Sequence, residues 1–176
     1  MTQTRWLNEQ EQRMWREFQR MARNLDRAFE RDLMDRAGLS SADFSVLVPL
    51  SEAPDHRLRA REVGRILDWD RSRLSHQIRR MEARGLLTRG NCPTDARGTV
   101  IGLTEHGWTT IQQAAPGHVQ AVRVHFFDVL TDADIIALDD ICRRVNERIP
   151  SIDLDLETCA EAEAEAEAEA EAEATL

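Results

Sequence analysis

Apolar residues recur at helical spacing along most of this chain, and one stretch near its middle switches to the alternation of strands. Over residues 8–36, Trp15, Phe18, Ala22, Leu25, Phe29 and Leu33 follow the three-and-four spacing of a helical stripe, which Met14, Met21 and Ala28 widen. A helix of that length runs about 43 Å at 1.5 Å per residue. One small globule cannot bury both ends of such a rod, whereas a partner chain can. Gly38 ends it, and Ser40 followed three residues later by Asp43 predicts a capping-box start for the next helix. That helix carries Phe44, Val46, Leu47 and Leu50, and Pro49 within it lacks an amide donor, which predicts a kink or an early end.

Residues 52–55 read as a turn and Leu58 as part of a very short strand. Residues 60–67 predict a short helix with Val63, Ile66 and Leu67 inward. Asp68-Trp69-Asp70 is the turn after it, and Asp70 is placed to cap a helix over 71–84 that Gly85 closes. Residues 86–89 and 99–103 predict the strands of a hairpin whose long tip, 90–98, is rich in turn formers. Thr104 caps a helix expected to reach about Leu130 with a bend at Pro116-Gly117. Thr131 with Asp134 repeats the capping spacing for a last helix, 132–149, striped by Ile135, Leu138, Ile141, Cys142, Val145 and Ile149. Residues 151–159 read as a linker, and 160–174 alternate Ala and Glu strictly.

These elements make a mainly α chain with a small β-hairpin. Its 176 residues and 41% hydrophobic content suit one domain with a core. No stretch approaches a membrane span, and residues 1–30 lack the apolar run of a signal peptide, so the expectation is a soluble, cytoplasmic protein. Cys92, Cys142 and Cys159 lie far apart with no C-x-x-C pair, which predicts reduced thiols and neither a disulfide framework nor a zinc site. His118 and His125 have no third ligand nearby in sequence and make a weak metal signal. No phosphate-binding glycine loop, H-E-x-x-H or G-x-S-x-G motif occurs, so the chain reads as no enzyme and as needing no cofactor.

Charge changes the picture by region. The net charge of −9 looks wrong for a nucleic-acid binder. Yet residues 1–150 hold 23 Arg against 22 acidic residues, and 57–104 hold 11 Arg against 5, a net of +6. Residues 151–176 hold ten acidic residues and no base, with Glu161, Glu165 and Glu169 repelling at i, i+4 spacing. This tail is expected to be disordered or a fraying helix. It reads either as a solubilising segment or as a competitor of DNA phosphate for the Arg-rich face.

Helix, short turn, helix and hairpin is the order of a winged helix-turn-helix. In the second helix, Leu74, Ile78 and Met81 fall within about 60° of one another and face inward. Ser72, Arg73, Ser75, His76, Arg79 and Arg80 occupy the opposite face without an apolar interruption. The N-terminal end of a recognition helix enters the major groove, so Arg71, Ser72, Arg73, Ser75 and His76 are the base-edge candidates, with Arg79 and Arg80 on phosphates. On the wing, Arg89 and Arg97 are DNA-contact candidates, Arg97 entering the minor groove with Asp95 supporting the loop. The plainer reading is a solvated basic face and a turn-forming Asp beside a solvated Arg.

At this point the chain resembles the MarR family, the multiple-antibiotic-resistance-type regulators. The residues that carry the resemblance are REVGRILDWDRSRLSHQIRRMEARGLLTR, the wing with Asp95-x-Arg97-Gly98, and LTEHG at 103–107. The resemblance covers about residues 8–149. It implies a homodimer, interlocked through its first and last helices, that binds a pseudo-palindromic double-stranded DNA operator. Similar proteins usually repress and release DNA on binding a small, often aromatic ligand, while some respond to thiol oxidation and some activate. The implied organisation is 1–38 with 105–149 as dimerisation region, 39–104 as winged helix-turn-helix and 150–176 as acidic tail. The acidic Asp68-Trp69-Asp70 turn and the Ala-Glu tail depart from the family pattern. Trp15, Phe18, Phe44, Trp69 and Trp108 are either core aromatics or the lining of an effector pocket between the helical and winged parts. Cys92, flanked in sequence by Arg89 and Arg97, leaves thiol sensing as an alternative, and a protein-binding adaptor is a further one.

Overall fold

Capping residues set the limits of most helices in the computed structural model, which describes residues 4–91 and 99–149. Helix α1 (Glu9–Ala37) starts at a capping box, with Asn8 Oδ1 accepting from the Glu11 amide at 2.9 Å and Glu11 Oε2 accepting from the Asn8 amide at 2.7 Å. Helix α2 (Ser41–Glu52) starts at the expected Ser40–Asp43 box. It runs on past Pro49 to Glu52, instead of ending at the proline. Pro49 is buried there, and its carbonyl still accepts from the Ala53 amide at 3.1 Å, so only the bond to the preceding turn is lost.

A short 3₁₀ turn, Pro54–His56, leads into β1 (Arg57–Arg59) and helix α3 (Ala60–Leu67). Helix α4 (Arg71–Ala83) follows, then β2 (Leu87–Asn91), β3 (Thr99–Leu103), α5 (Glu105–His125) and α6 (Asp132–Asn146). The predicted hairpin is present, and β1 adds to its other side. The sheet order is β1-β3-β2, antiparallel throughout, with Leu58 opposite Ile101 and Arg89 opposite Ile101 from the other side.

One hydrophobic core lies under this sheet. Val46, Leu47 and Leu50 of α2, Val63 of α3, Met81 of α4 and Ile101 of β3 are fully buried in it. Helix α3 reaches the core through Val63, with Leu67 half-buried against it as expected, while Arg65 and Ile66 between them face outward. Ile66, expected inward, is accordingly 53% exposed. Helix α5 closes the core with Ile111 and Ala114. It is continuous through Pro116 and lies along α1, where a Cβ on Gly117 would come 3.0 Å from Arg36 Cδ. The helix stops at His125, short of the expected Leu130. Phe126 leaves helical geometry and a 3₁₀ turn, Phe127–Val129, takes over. Helix α6 ends at Asn146, also short of the expected 149.

The outer helices differ from this core. Helix α6 buries none of its residues, leaving Ile136 72%, Ile141 47% and Val145 52% exposed. The first half of α1 likewise exposes Met14, Trp15, Phe18 and Met21. No helix among the described residues is long and apolar enough to cross a membrane. The acidic tail expected over 150–176 lies outside the described residues.

Candidate nucleic-acid interface

The turn before α4 is built from its own two carboxylates. Asp68 takes the left-handed conformation (φ 50°) that closes α3, which Asp tolerates better than most side chains. Asp70 caps α4, its Oδ1 accepting from the Arg73 amide at 2.9 Å. That carboxylate is engaged with the helix end beside which it sits. Trp69 between them donates its amide to the Gly64 carbonyl at 2.9 Å and packs, half-buried, on the core.

Helix α4 then presents two faces. Leu74, Gln77, Ile78 and Met81 are buried, while Arg71, Ser72, Arg73, His76, Arg79 and Arg80 are exposed and Ser75 is half-buried. The predicted outward face is therefore one surface. Among the described residues no carboxylate pairs with Arg71, Arg79 or Arg80, and the Arg73 guanidinium lies over the Trp69 ring, 4.2 Å from its centroid. Arg89, on β2, instead pairs with Glu82 of α4 at 2.6 Å, bracing wing strand to helix. Asp95 and Arg97, with Cys92, lie outside the described residues.

A buried polar hub ties α4 to α2, and the sequence reading missed it. Asp43, the capping residue of α2, is 1% exposed. Its Oδ1 accepts from Gln77 Nε2 at 2.6 Å and its Oδ2 from an Arg84 guanidinium nitrogen at 2.7 Å. The other terminal nitrogen of Arg84 donates to the Gly38 carbonyl at 2.7 Å. Burial pushes the Asp43 carboxyl up, but hydrogen bonds with Ser40 and then Arg84 outweigh it and hold the group below its ordinary value. The middle and the C-terminal end of α4 are thus tied to the start of α2. A signal for this was present: Gln77 sits on the apolar face next to Ile78, and a buried amide needs a partner.

The far end of α4 is joined to α5 by close backbone approach. The Thr104 hydroxyl donates to the Gly85 carbonyl at 2.6 Å and accepts from the Gly107 amide at 2.9 Å, while its own amide donates to the Leu86 carbonyl at 3.2 Å. A Cβ on Gly107 would fall 2.0 Å from the Leu86 oxygen. The motif pieces RGLL and LTEHG are thus two halves of one contact.

The five aromatics proposed as pocket lining do not form one cluster. Trp15 stacks on Phe18 at 5.7 Å, Trp108 on His56 at 4.1 Å, and Phe44 lies 4.5 Å from His118. Trp69 stands under Arg73. The junction of α1, α2 and α5 around His118 has a different interest. His118 Nδ1 and Asp32 Oδ2 are both buried without a hydrogen-bond partner, and Phe29 touches the same imidazole at 5.5 Å. Burial pushes the His118 imidazole down, against the pull of the Asp32 carboxylate. The folded chain therefore takes up this proton less readily than the unfolded one, and stability falls as pH drops below about 6.5. Urea denaturation at pH 7.5 and 5.5 should show that loss reduced in His118→Gln; an identical loss in both proteins would assign it elsewhere. Among the described residues no group of three or more His, Cys, Asp or Glu is placed to hold a metal ion, and Cys142 is exposed on α6.

Comparison with known proteins bears on this surface. Residues 37–98 match the family model of the MarR family. The fold is similar to Sco3205, a MarR family transcriptional regulator from Streptomyces coelicolor crystallised in complex with DNA. The TM-score is 0.82 at 38% identity, covering 88% of this chain and 96% of that one. It is similar also to AbsC, a MarR family transcriptional regulator from the same organism, with TM-score 0.79 at 41% identity over 82% of this chain and 97% of that one. The HTH-type transcriptional repressor YetL of Bacillus subtilis is 28% identical over 112 residues, 62% of this chain and 67% of that protein.

Proposed function

The chain belongs to the MarR family of DNA-binding transcriptional regulators, and on that premise we propose that it is a homodimeric repressor that holds a pseudo-palindromic operator through α4 and the wing and releases it when a small ligand binds. The observation that carries this reading is the outward face of α4. It is a continuous polar surface whose Arg71, Arg79 and Arg80 are left without a carboxylate among the described residues, on a helix whose inner face is fixed to the core. Arg71, Ser72, Arg73, Ser75 and His76, at the leading end, read base edges; Arg79 and Arg80, further along, hold phosphates. Arg89 steadies the wing through Glu82 and Arg97 reaches the minor groove, with Asp95 shaping the loop. The similar Sco3205, crystallised in complex with DNA, supports DNA binding, and the similar repressor YetL supports repression.

Pairing rests on apolar surface. An exposed stripe along α6 and the first half of α1 is more than a solitary chain ordinarily leaves in water, and a second copy covering it accounts for both. Residues 1–38 and 105–149 then form the dimerisation region and 39–104 the DNA-binding part. The two unpartnered polar atoms of Asp32 and His118 lie where these parts meet, and they suit an effector with a donor and an acceptor.

The purified chain is expected to sediment at twice its own mass. Mixed with fragmented DNA of its own genome, it should recover fragments that share one pseudo-palindromic sequence. Recovery without any shared sequence would count against operator binding.

A further inference from the structure

We infer that Trp69 is a positioning residue for sequence readout: its indole face holds the Arg73 guanidinium extended toward the DNA with its N–H edges free. The inference rests on the DNA-binding reading of α4 and names how one of its contacts achieves selectivity.

Arg73 is fixed at two levels. Its backbone is the third residue of α4, and its amide is bonded to the Asp70 cap at 2.9 Å. Its guanidinium carbon lies 4.2 Å from the Trp69 ring centroid. The indole is itself anchored, since the Trp69 amide is bonded to Gly64 and the ring packs on the core. A Cβ on Gly64 would meet the Trp69 carbonyl at 3.4 Å, so this turn sits close against α3.

The manner of holding matters for what the guanidinium can still do. Arg84 and Arg89 are steadied by carboxylates, and an ion pair occupies the N–H groups that a base would need. Stacking on an aromatic face uses the π surface of the guanidinium and leaves its planar fork of donors open. Arg73 can therefore meet the O6 and N7 of a guanine bidentately from a preset orientation. Asp68 and Asp70 flank the indole in sequence, but Asp70 Oδ1 is taken by the helix end, and among the described residues neither carboxylate pairs with the Arg73 guanidinium. A side chain already ordered loses less freedom on binding, worth about five- to tenfold in affinity for the matching sequence and little for any other.

The test measures affinities of the full-length protein for its genome-selected operator and for a scrambled duplex. Trp69→Leu keeps an apolar filler without a π face, and Trp69→Phe keeps the face. The expected result is a loss of about five- to tenfold on the operator for Trp69→Leu, with the scrambled duplex changed by less than about twofold. Trp69→Phe should retain most of the discrimination, and Trp69→Leu should cost nothing further in an Arg73→Ala background. Equal losses on both duplexes, an undiminished loss in the Arg73→Ala background, or tighter operator binding would overturn the inference. If the wild type itself does not distinguish operator from scrambled DNA, the DNA-readout assignment falls with it; otherwise only the role of Trp69 does.

Discussion

Asp43→Ala is expected to destabilise the protein by about 3–4 kcal/mol, the range for breaking a buried ion pair by removing one partner. The substitution strands Gln77 Nε2, which is buried, and frees Arg84 from its carboxylate while deleting the capping box of α2. The lower part of the usual range applies because the Arg84 side chain is 41% exposed and water can reach it. A urea titration reads the cost as a lowered midpoint at unchanged slope. Most of the cost comes from the partners left behind, so Asp43→Leu combined with Gln77→Leu and Arg84→Met should recover a good part of it. A triple variant as unstable as Asp43→Ala would contradict the idea that stranded polar groups carry the penalty. The same carboxylate gives a pH dependence. Its folded pKa lies below its unfolded one, so its contribution is complete above about pH 4 and fades as pH falls through the folded value. Operator affinity should fall in Asp43→Ala even where the protein remains folded, because α4 loses its tie to α2.

Gly107→Ala is the second large effect, about 2–3 kcal/mol or more. The added methyl would meet the Leu86 carbonyl oxygen at 2.0 Å and its carbon at 3.0 Å, and both belong to backbone that Thr104 already fixes. Relief requires α5 to move away from the end of α4, which opens the joint between the DNA-contacting part and the outer helices. Two glycines serve as controls. A Cβ on Gly102 meets first the flexible Arg57 Cγ at 3.2 Å, and one on Gly90 meets nothing within 4 Å. Thermal denaturation should therefore place Gly107→Ala well below Gly102→Ala and Gly90→Ala. Three equal melting temperatures would contradict the close-approach explanation.

Local physics made much of this legible in advance. The period of Leu74, Ile78 and Met81, the Asp70 cap and the strand after Gly85 announce α4 and its wing from a window of about twenty residues. Each is a short-range property of the chain. The hub at Asp43 is different in kind: its partners lie 34 and 41 residues away, and no local pattern encodes the pairing. The capping role of Asp43 is readable from Ser40, but the same carboxylate doing two tasks is a tertiary fact. Arg89 shows the same limit, since periodicity places it on the wing but cannot reveal that Glu82 engages it. The early end allowed for at Pro49 and the extension expected to Leu130 both fail for a reason of energy. Burial of α2 sustains the helix through a lost hydrogen bond, while α5 ends where the chain must turn into α6. The aromatics, read as core or as pocket lining, make four separate ring contacts, and Phe44, Trp69 and Trp108 pack against the one core.

The central claim, that the outward face of α4 grips DNA, is tested most directly by the salt dependence of operator affinity in Arg79→Ala/Arg80→Ala. Each Arg occurs twice in a dimer, so the double variant removes four phosphate contacts. Between about 50 and 200 mM salt, the slope of log affinity against log salt should become shallower by about 3.6, with affinity weakened alike on operator and scrambled duplex. A slope and an affinity identical to those of the wild type would place the DNA elsewhere on the molecule.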